Sequence, residues 1–140
     1  MAKMICLTKN SWPPSATVLH FSTKDVPVIL ILDAKAAAKV AMDQFHTNGT
    51  LPKRLTENHR TLSTTGTLYI PMLHVNYDGS VEFSDGRHRA LTLDSLGFAT
   101  VPVLTSLKNA NSIQHLWGSI ATANTEYDFS DPYGTKIIGI

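Results

Sequence analysis

Cysteine is nearly missing from this chain: Cys6 is the single one in 140 residues. One thiol excludes an internal disulfide and suits a reducing compartment, so the expected location is the cytoplasm. Long apolar runs are missing as well. The longest, VPVILIL at residues 26–32, falls well short of the roughly 20 residues that cross a bilayer, which predicts no membrane contact. The opening stretch MAKMICLTKNSWPP holds no apolar run of signal-peptide length, which leaves the acceptor pattern Asn48-Gly49-Thr50 without a secretory context. There is no excess of charge of one sign: 12 Lys and Arg stand against 11 Asp and Glu, and only 16% of residues are charged. Such a chain has no overall field that draws in nucleic acid, so any contact of that kind must come from a local patch. Six histidines are present, but no H-x-x-x-H, C-x-x-C or H-E-x-x-H spacing, which argues against a structural zinc site. G-x-S-x-G, the P-loop, internal repeats and low-complexity tracts are missing too.

What remains is enough for a core. The hydrophobic fraction of 43% predicts one domain over residues 1–140. TVLHF at 17–21 reads as a short strand and Val26 to Leu32 as a buried central one. Asp33 is placed to cap the helix AKAAAKVAMDQFH, with Ala38, Ala41, Met42 and Phe45 on one face and Asn48-Gly49 as its stop. Residues 50–67 are polar and threonine-rich and read as a loop or a poorly ordered helix. Leu68 to Tyr77 reads as a strand, Asp78-Gly79 as a tight turn, and Ser80 to Ser84 as the returning strand. A two-residue turn sets His74 opposite Phe83. It places Met72, His74, Val81, Phe83 and Asp85 on one side. A helix follows over Arg87 to Leu96 with Gly97 as its stop, and ATVPVLTS is the next strand. Asn111 then caps a helix whose stripe is Ile113, Leu116, Trp117 and Ile120. The tail EYDFSDPYGTKIIGI is expected against the core as an edge strand. Strands and helices alternate without a regular βαβ series, which predicts an α+β fold with a small mixed sheet and packed helices.

The chemistry concentrates in SDGRHRAL, residues 84–91. Two arginines and a histidine stand where a helix begins, already the positive end of its dipole. That clustering is unfavourable unless an anion sits among them. Gly86 leaves the backbone open to close approach, and the first helical N–H groups have no intrahelical acceptor. Phosphate is the anion that suits both, and arginine's planar fork matches its oxygens. Consecutive helical residues point about 100° apart, so Arg87, His88 and Arg89 cannot all grip one phosphate. One of them is left to pair with an acid of the protein or to reach a second phosphate or a base.

The stretch VEFSDGRHRALTLDSLGFATVPVL resembles the nucleotide-binding core of the ParB/sulfiredoxin superfamily. The likeness covers residues 68–106. It rests on a strand followed by Gly86, Arg89, the small Ala90, then Gly97 and Val101-Pro102-Val103. Gly86 and Arg89 match the ParB pattern Gly-Glu-Arg-Arg-x-Arg. Gly86, His88 and Arg89 match the sulfiredoxin pattern Gly-Cys-His-Arg, in which Arg87 replaces the reactive cysteine, so sulfinic acid reduction is rejected. Only 34 residues follow Ser106, with one candidate helix and no helix-turn-helix pair, so full partition activity is not expected either. The Asp-Gly-x-His-Arg version is similar to the nuclease or NTPase branch found on bacterial mobile elements such as plasmids and phages.

The resemblance implies ATP or CTP as ligand and Mg²⁺-dependent phosphate-ester hydrolysis, either of a nucleotide or of DNA. Gly86, Arg87, His88 and Arg89 would bind phosphate. Asp85, His88 and Arg89 would carry the chemistry, with Mg²⁺ on Asp85. Asp85 reads equally as a simple helix cap. His74 and Glu82 are secondary candidates, Glu82 facing away from Asp85 if the strand is regular. Lys53, Arg54 and Arg60 form either a solvated loop or a patch that closes over phosphates or DNA. The competing class is a non-catalytic interaction or inhibitor protein that keeps the fold and binds DNA, a host protein or a second copy of itself. Phosphotransfer to a small metabolite also occurs in this superfamily, but no pocket signature here favours it.

Overall fold

A computed structural model describes residues 3–7, 25–48, 52–132 and 135–140, with the side chains of 45–48 left aside. The strand expected at 17–21 lies outside the described residues, as does the side chain of Phe45. The apolar run becomes β2 (Pro27–Asp33), which pairs antiparallel along its whole length with β6 (Thr100–Ser106). Val28 to Leu32 are fully buried and no residue of β6 is exposed, as expected of strands covered on both faces. Around this ribbon a five-stranded sheet forms in the order β5–β4–β6–β2–β8, with β4 (Met72–Val75), β5 (Val81–Asp85) and β8 (Ile137–Ile138). The tail therefore ends as an edge strand, as expected.

Asp33 caps α1 (Ala34–Asn48), its Oδ2 accepting from Ala36 N–H at 3.0 Å. The buried face of α1 is Ala34, Ala37, Ala38 and Ala41, whereas Met42, expected inside, is 51% exposed. Residues 52–65 are not a loop but α2 (Pro52–Thr65). Proline opens it, where its missing N–H costs nothing, and Leu62 is buried. The helix holds despite poor intrinsic propensity because it docks on α3 (Arg87–Ser95).

The strand expected over 68–77 is two strands in different sheets. β3 (Thr67–Tyr69) lies parallel to β1 (Met4–Leu7), and β7 (Tyr127–Asp128) flanks β1 on the other side, also parallel. The chain changes sheets at Ile70-Pro71: Ile70 N–H donates to Leu7 in one, and Pro71, which has no N–H to give, accepts from Leu104 N–H in the other. The sheets are tied again at Thr100. Its carbonyl accepts from the buried Tyr127 hydroxyl, and its N–H and hydroxyl donate to Glu126 at 3.0 and 2.7 Å.

After β6 the expected single helix is broken into α4 (Leu107–Ser112), capped by Ser106, a 3₁₀ turn at Gln114–Leu116, and α5 (Ile120–Glu126), capped by Ser119. Ile113, Leu116, Trp117 and Ile120 still pack on the core. Ile113 leaves helical geometry at φ −122°, ψ 33°, so no continuous stripe forms. The result is a mixed α+β protein with two sheets and five α-helices among the described residues. None of these helices is long and apolar enough to cross a membrane.

Candidate functional site

The β4–β5 hairpin is where expectation and structure part most usefully. Its loop has three residues, Tyr77-Asp78-Gly79, closed by Gly79 N–H to Asn76 O and Asn76 N–H to Ser80 O at 2.9 and 2.7 Å. Gly79 sits at φ +87°, the left-handed position that this loop type needs. The extra residue shifts the register by one: Leu73 pairs with Phe83, His74 with Glu82, and Val75 with Val81. Leu73 and Phe83 therefore face the core, and His74 with Glu82 lies on the opposite side, not beside Phe83. The register then slips, with Met72 opposite Asp85. Ser84 is thus the extra residue of a β-bulge. The strand is not regular, and the slip carries Asp85 to the same side as Glu82.

Past the bulge, Gly86 is the N-cap of α3 at φ 86°, and no side chain caps the helix. Asp85 is therefore not the cap. Its Oδ2 accepts from Arg89 Nη2 at 2.9 Å, four residues along. The Gly86 position is tight: a Cβ there would lie 2.5 Å from Arg89 Nη2 and 2.7 Å from Pro71 Cβ. The missing side chain makes room for Arg89 and Pro71 rather than for a ligand. Of the three consecutive basic residues, Arg89 pairs with an acid of the same turn, Asp85.

A cleft of about 410 Å³ opens against this turn, lined by Ser84 to Arg89 and by Arg54, Glu57 and Asn58 of α2. Folding of 52–65 into a helix is what brings Arg54 to the motif. The other basic candidates go elsewhere. Lys53 is exposed and does not line the cleft, and Arg60 lines a separate groove with Met42, Leu55 and Leu91. His74 and Glu82 stand on the hairpin and reach the cleft through Ser84, whose Oγ lies 2.6 Å from His74 Nδ1. Gln44 of α1 adds a wall. Its amide exchanges two hydrogen bonds with the backbone of Phe83, at 3.0 and 2.9 Å, and covers the open edge of β5.

His88 is 4% exposed. Burial, then the charges of Arg87 and Arg54, push its pKa below the ordinary imidazole value, so at neutral pH it presents one donor and one acceptor. The cleft thus gathers Arg87, Arg54 and a neutral histidine at an uncapped helix start. That arrangement favours an anion with several oxygens. The donor set matches Mg²⁺ poorly. Asp85, the expected ligand, already holds Arg89, and no group of three metal-ligating side chains forms among the described residues. Ser84, the cleft-lining Glu57 and Asn58 of α2, and Gln44 were missed by sequence reasoning. Only the basic character of residues 53–60 signalled any of them.

Comparison with protein-family models, curated proteins and solved structures finds no match to this chain.

Proposed function

We propose that this chain is a nucleotide-phosphate-binding domain of ParB/sulfiredoxin type that performs phosphate-ester chemistry in a reducing, cytoplasmic setting. The observation that carries the reading is the convergence of Arg54 and Arg87, from two different helices, on the cleft at the Gly86 turn. Arg54 and Arg87 hold phosphate oxygens, and the first turn of α3 adds backbone N–H groups. His88, neutral in the resting protein, donates one ring N–H to a phosphate oxygen. It gains basicity once the anion offsets the two arginines. Arg89 has a different part from the one its position in the motif suggests: paired with Asp85, it fixes the turn that aims the others.

The test is calorimetric titration with ATP and with CTP, each with and without Mg²⁺. Arg54→Ala and Arg87→Ala are each expected to weaken binding about tenfold or more, corresponding to roughly 1.5–3 kcal/mol for a charge-assisted hydrogen bond. A well-folded protein that binds neither nucleotide would refute the reading. A second reading, an interaction protein, draws on the groove of about 690 Å³ where Met42, Leu55 and Leu91 meet His59 and Arg60. Partner binding that survives Arg87→Ala would favour it.

A further inference from the structure

Asp78 at the tip of the hairpin is a carboxylate, and a carboxylate only accepts. Ser80 Oγ lies 2.6 Å from Asp78 Oδ1 and must donate to it. Ser80 Oγ is then the acceptor for Asn76 Nδ2 at 3.0 Å, which turns the Asn76 carbonyl oxygen toward His74. That oxygen lies 2.9 Å from His74 Nε2, so Nε2 carries the ring hydrogen of the neutral imidazole. The Nδ1 lone pair is left facing Ser84 Oγ at 2.6 Å. Every direction in the chain Asp78–Ser80–Asn76–His74–Ser84 is thereby fixed, and the last step draws on the Ser84 proton. Glu82 Oε2 lies 3.6 Å from Nε2, placed to steady an imidazolium. A hydroxyl, a base in hydrogen-bond contact and a third group orienting the base are the parts of an activated nucleophile.

A second, independent feature is the backbone. Ser84 is the bulge residue, without a partner across the ladder, and bulges re-aim side chains beside active sites. It is exposed and lines the same cleft as Arg54 and Arg87.

We propose that Ser84 is a nucleophile and His74 its general base, and that the acceptor of the attack is the phosphorus of an ester held by Arg54 and Arg87. This rests on the phosphate-binding reading for its substrate but not for its relay. In the first step Ser84 Oγ forms a bond to phosphorus and passes its proton to His74 Nδ1. The bond from phosphorus to the leaving oxygen breaks, and that oxygen keeps the electron pair. The imidazolium then gives its proton to the departed oxygen and is neutral again. In the second step a water attacks the phosphoserine, its proton goes to Nδ1, and the Ser84 alkoxide leaves phosphorus. Ser84 recovers the proton from the imidazolium, and inorganic phosphate or the shortened ester is released.

The test is reaction of the full chain with a fluorophosphonate, in which Ser84 Oγ replaces fluoride on phosphorus without any nucleotide, followed by intact mass and peptide mapping. The same variants are then incubated with γ-labelled ATP and CTP. The expected result is one adduct, on Ser84, that is lost in Ser84→Ala and forms about 100-fold more slowly in His74→Gln, within the range of general-base catalysis. Adduct formation that depends on His74, with no nucleotide bound and no phosphate transferred, upholds the relay and removes the nucleotide as its substrate. Nucleotide binding with no adduct on Ser84, or with an adduct indifferent to His74→Gln, overturns the relay and leaves the binding reading intact. Ser84→Cys gives a check that leaves His74 in place. Its thiol is expected to react with iodoacetamide at pH 7 at least tenfold faster than a free cysteine, and a rate no faster than that overturns the proposal.

Discussion

At the residue scale the two positions that decide most are Gly86 and His88. Gly86→Ala forces a left-handed backbone on a residue with a Cβ and drives that atom into Arg89 and Pro71. The expected loss is about 1–3 kcal/mol in urea unfolding, together with loss of nucleotide binding as Arg89 leaves Asp85. His88 gives a pH dependence. Its folded pKa lies below the ordinary 6.5 because of burial and the charges of Arg87 and Arg54. The unfolded chain therefore binds more protons than the native one in that range. His88's contribution to stability is complete above the unfolded pKa and is lost as pH falls below it. Chemical denaturation between pH 7 and pH 5 is expected to show falling stability, with a shallower decline in His88→Gln. Ring-resolved NMR titration is expected to show the His88 pKa rising when inorganic phosphate is added, as the anion offsets the two guanidinium charges.

At the element scale the candidate site is a hairpin, a bulge and two helices brought together, and only part of that was legible in the sequence. Gly86, the α3 start and the β6 strand were readable because strand, Asp-Gly and helix follow one another locally. Helix α2 was not. Threonine, asparagine and serine lower its propensity, and what holds it is docking on α3, which no local pattern shows. The hairpin register failed for a one-residue reason. Asp78-Gly79 marks the turn correctly, but whether the loop has two residues or three is set by hydrogen bonds to Asn76 and Ser80. That one residue moves His74 from the core side to the side of Ser84. Gln44 shows the same limit: nothing around it in the sequence points to the backbone of Phe83, 39 positions away. Gln44→Ala is expected to leave that N–H and carbonyl unpaired at a cost of about 1–2 kcal/mol, with faster amide exchange at Phe83 as the specific readout.

At the scale of the whole molecule, two sheets share one chain and meet at Thr100 and at Ile70-Pro71. Tyr127 stands between them, its ring stacked on Phe98 at 5.3 Å between centroids and its hydroxyl on the Thr100 carbonyl. Tyr127→Phe keeps the ring and removes the tie. The expected cost is about 1–2 kcal/mol, measured by urea unfolding. The effect should fall on the small sheet before the large one.

Cys6 supplies a way to see that order. It sits in the middle strand of the small sheet, fully buried, and burial together with the charge of Asp128 pushes its thiol far above the ordinary range. A disulfide reagent can reach it only after β1 has parted from both neighbours. The rate at which this sulfur is trapped is therefore a clock for opening of the small sheet alone, read under native conditions and without any added probe group.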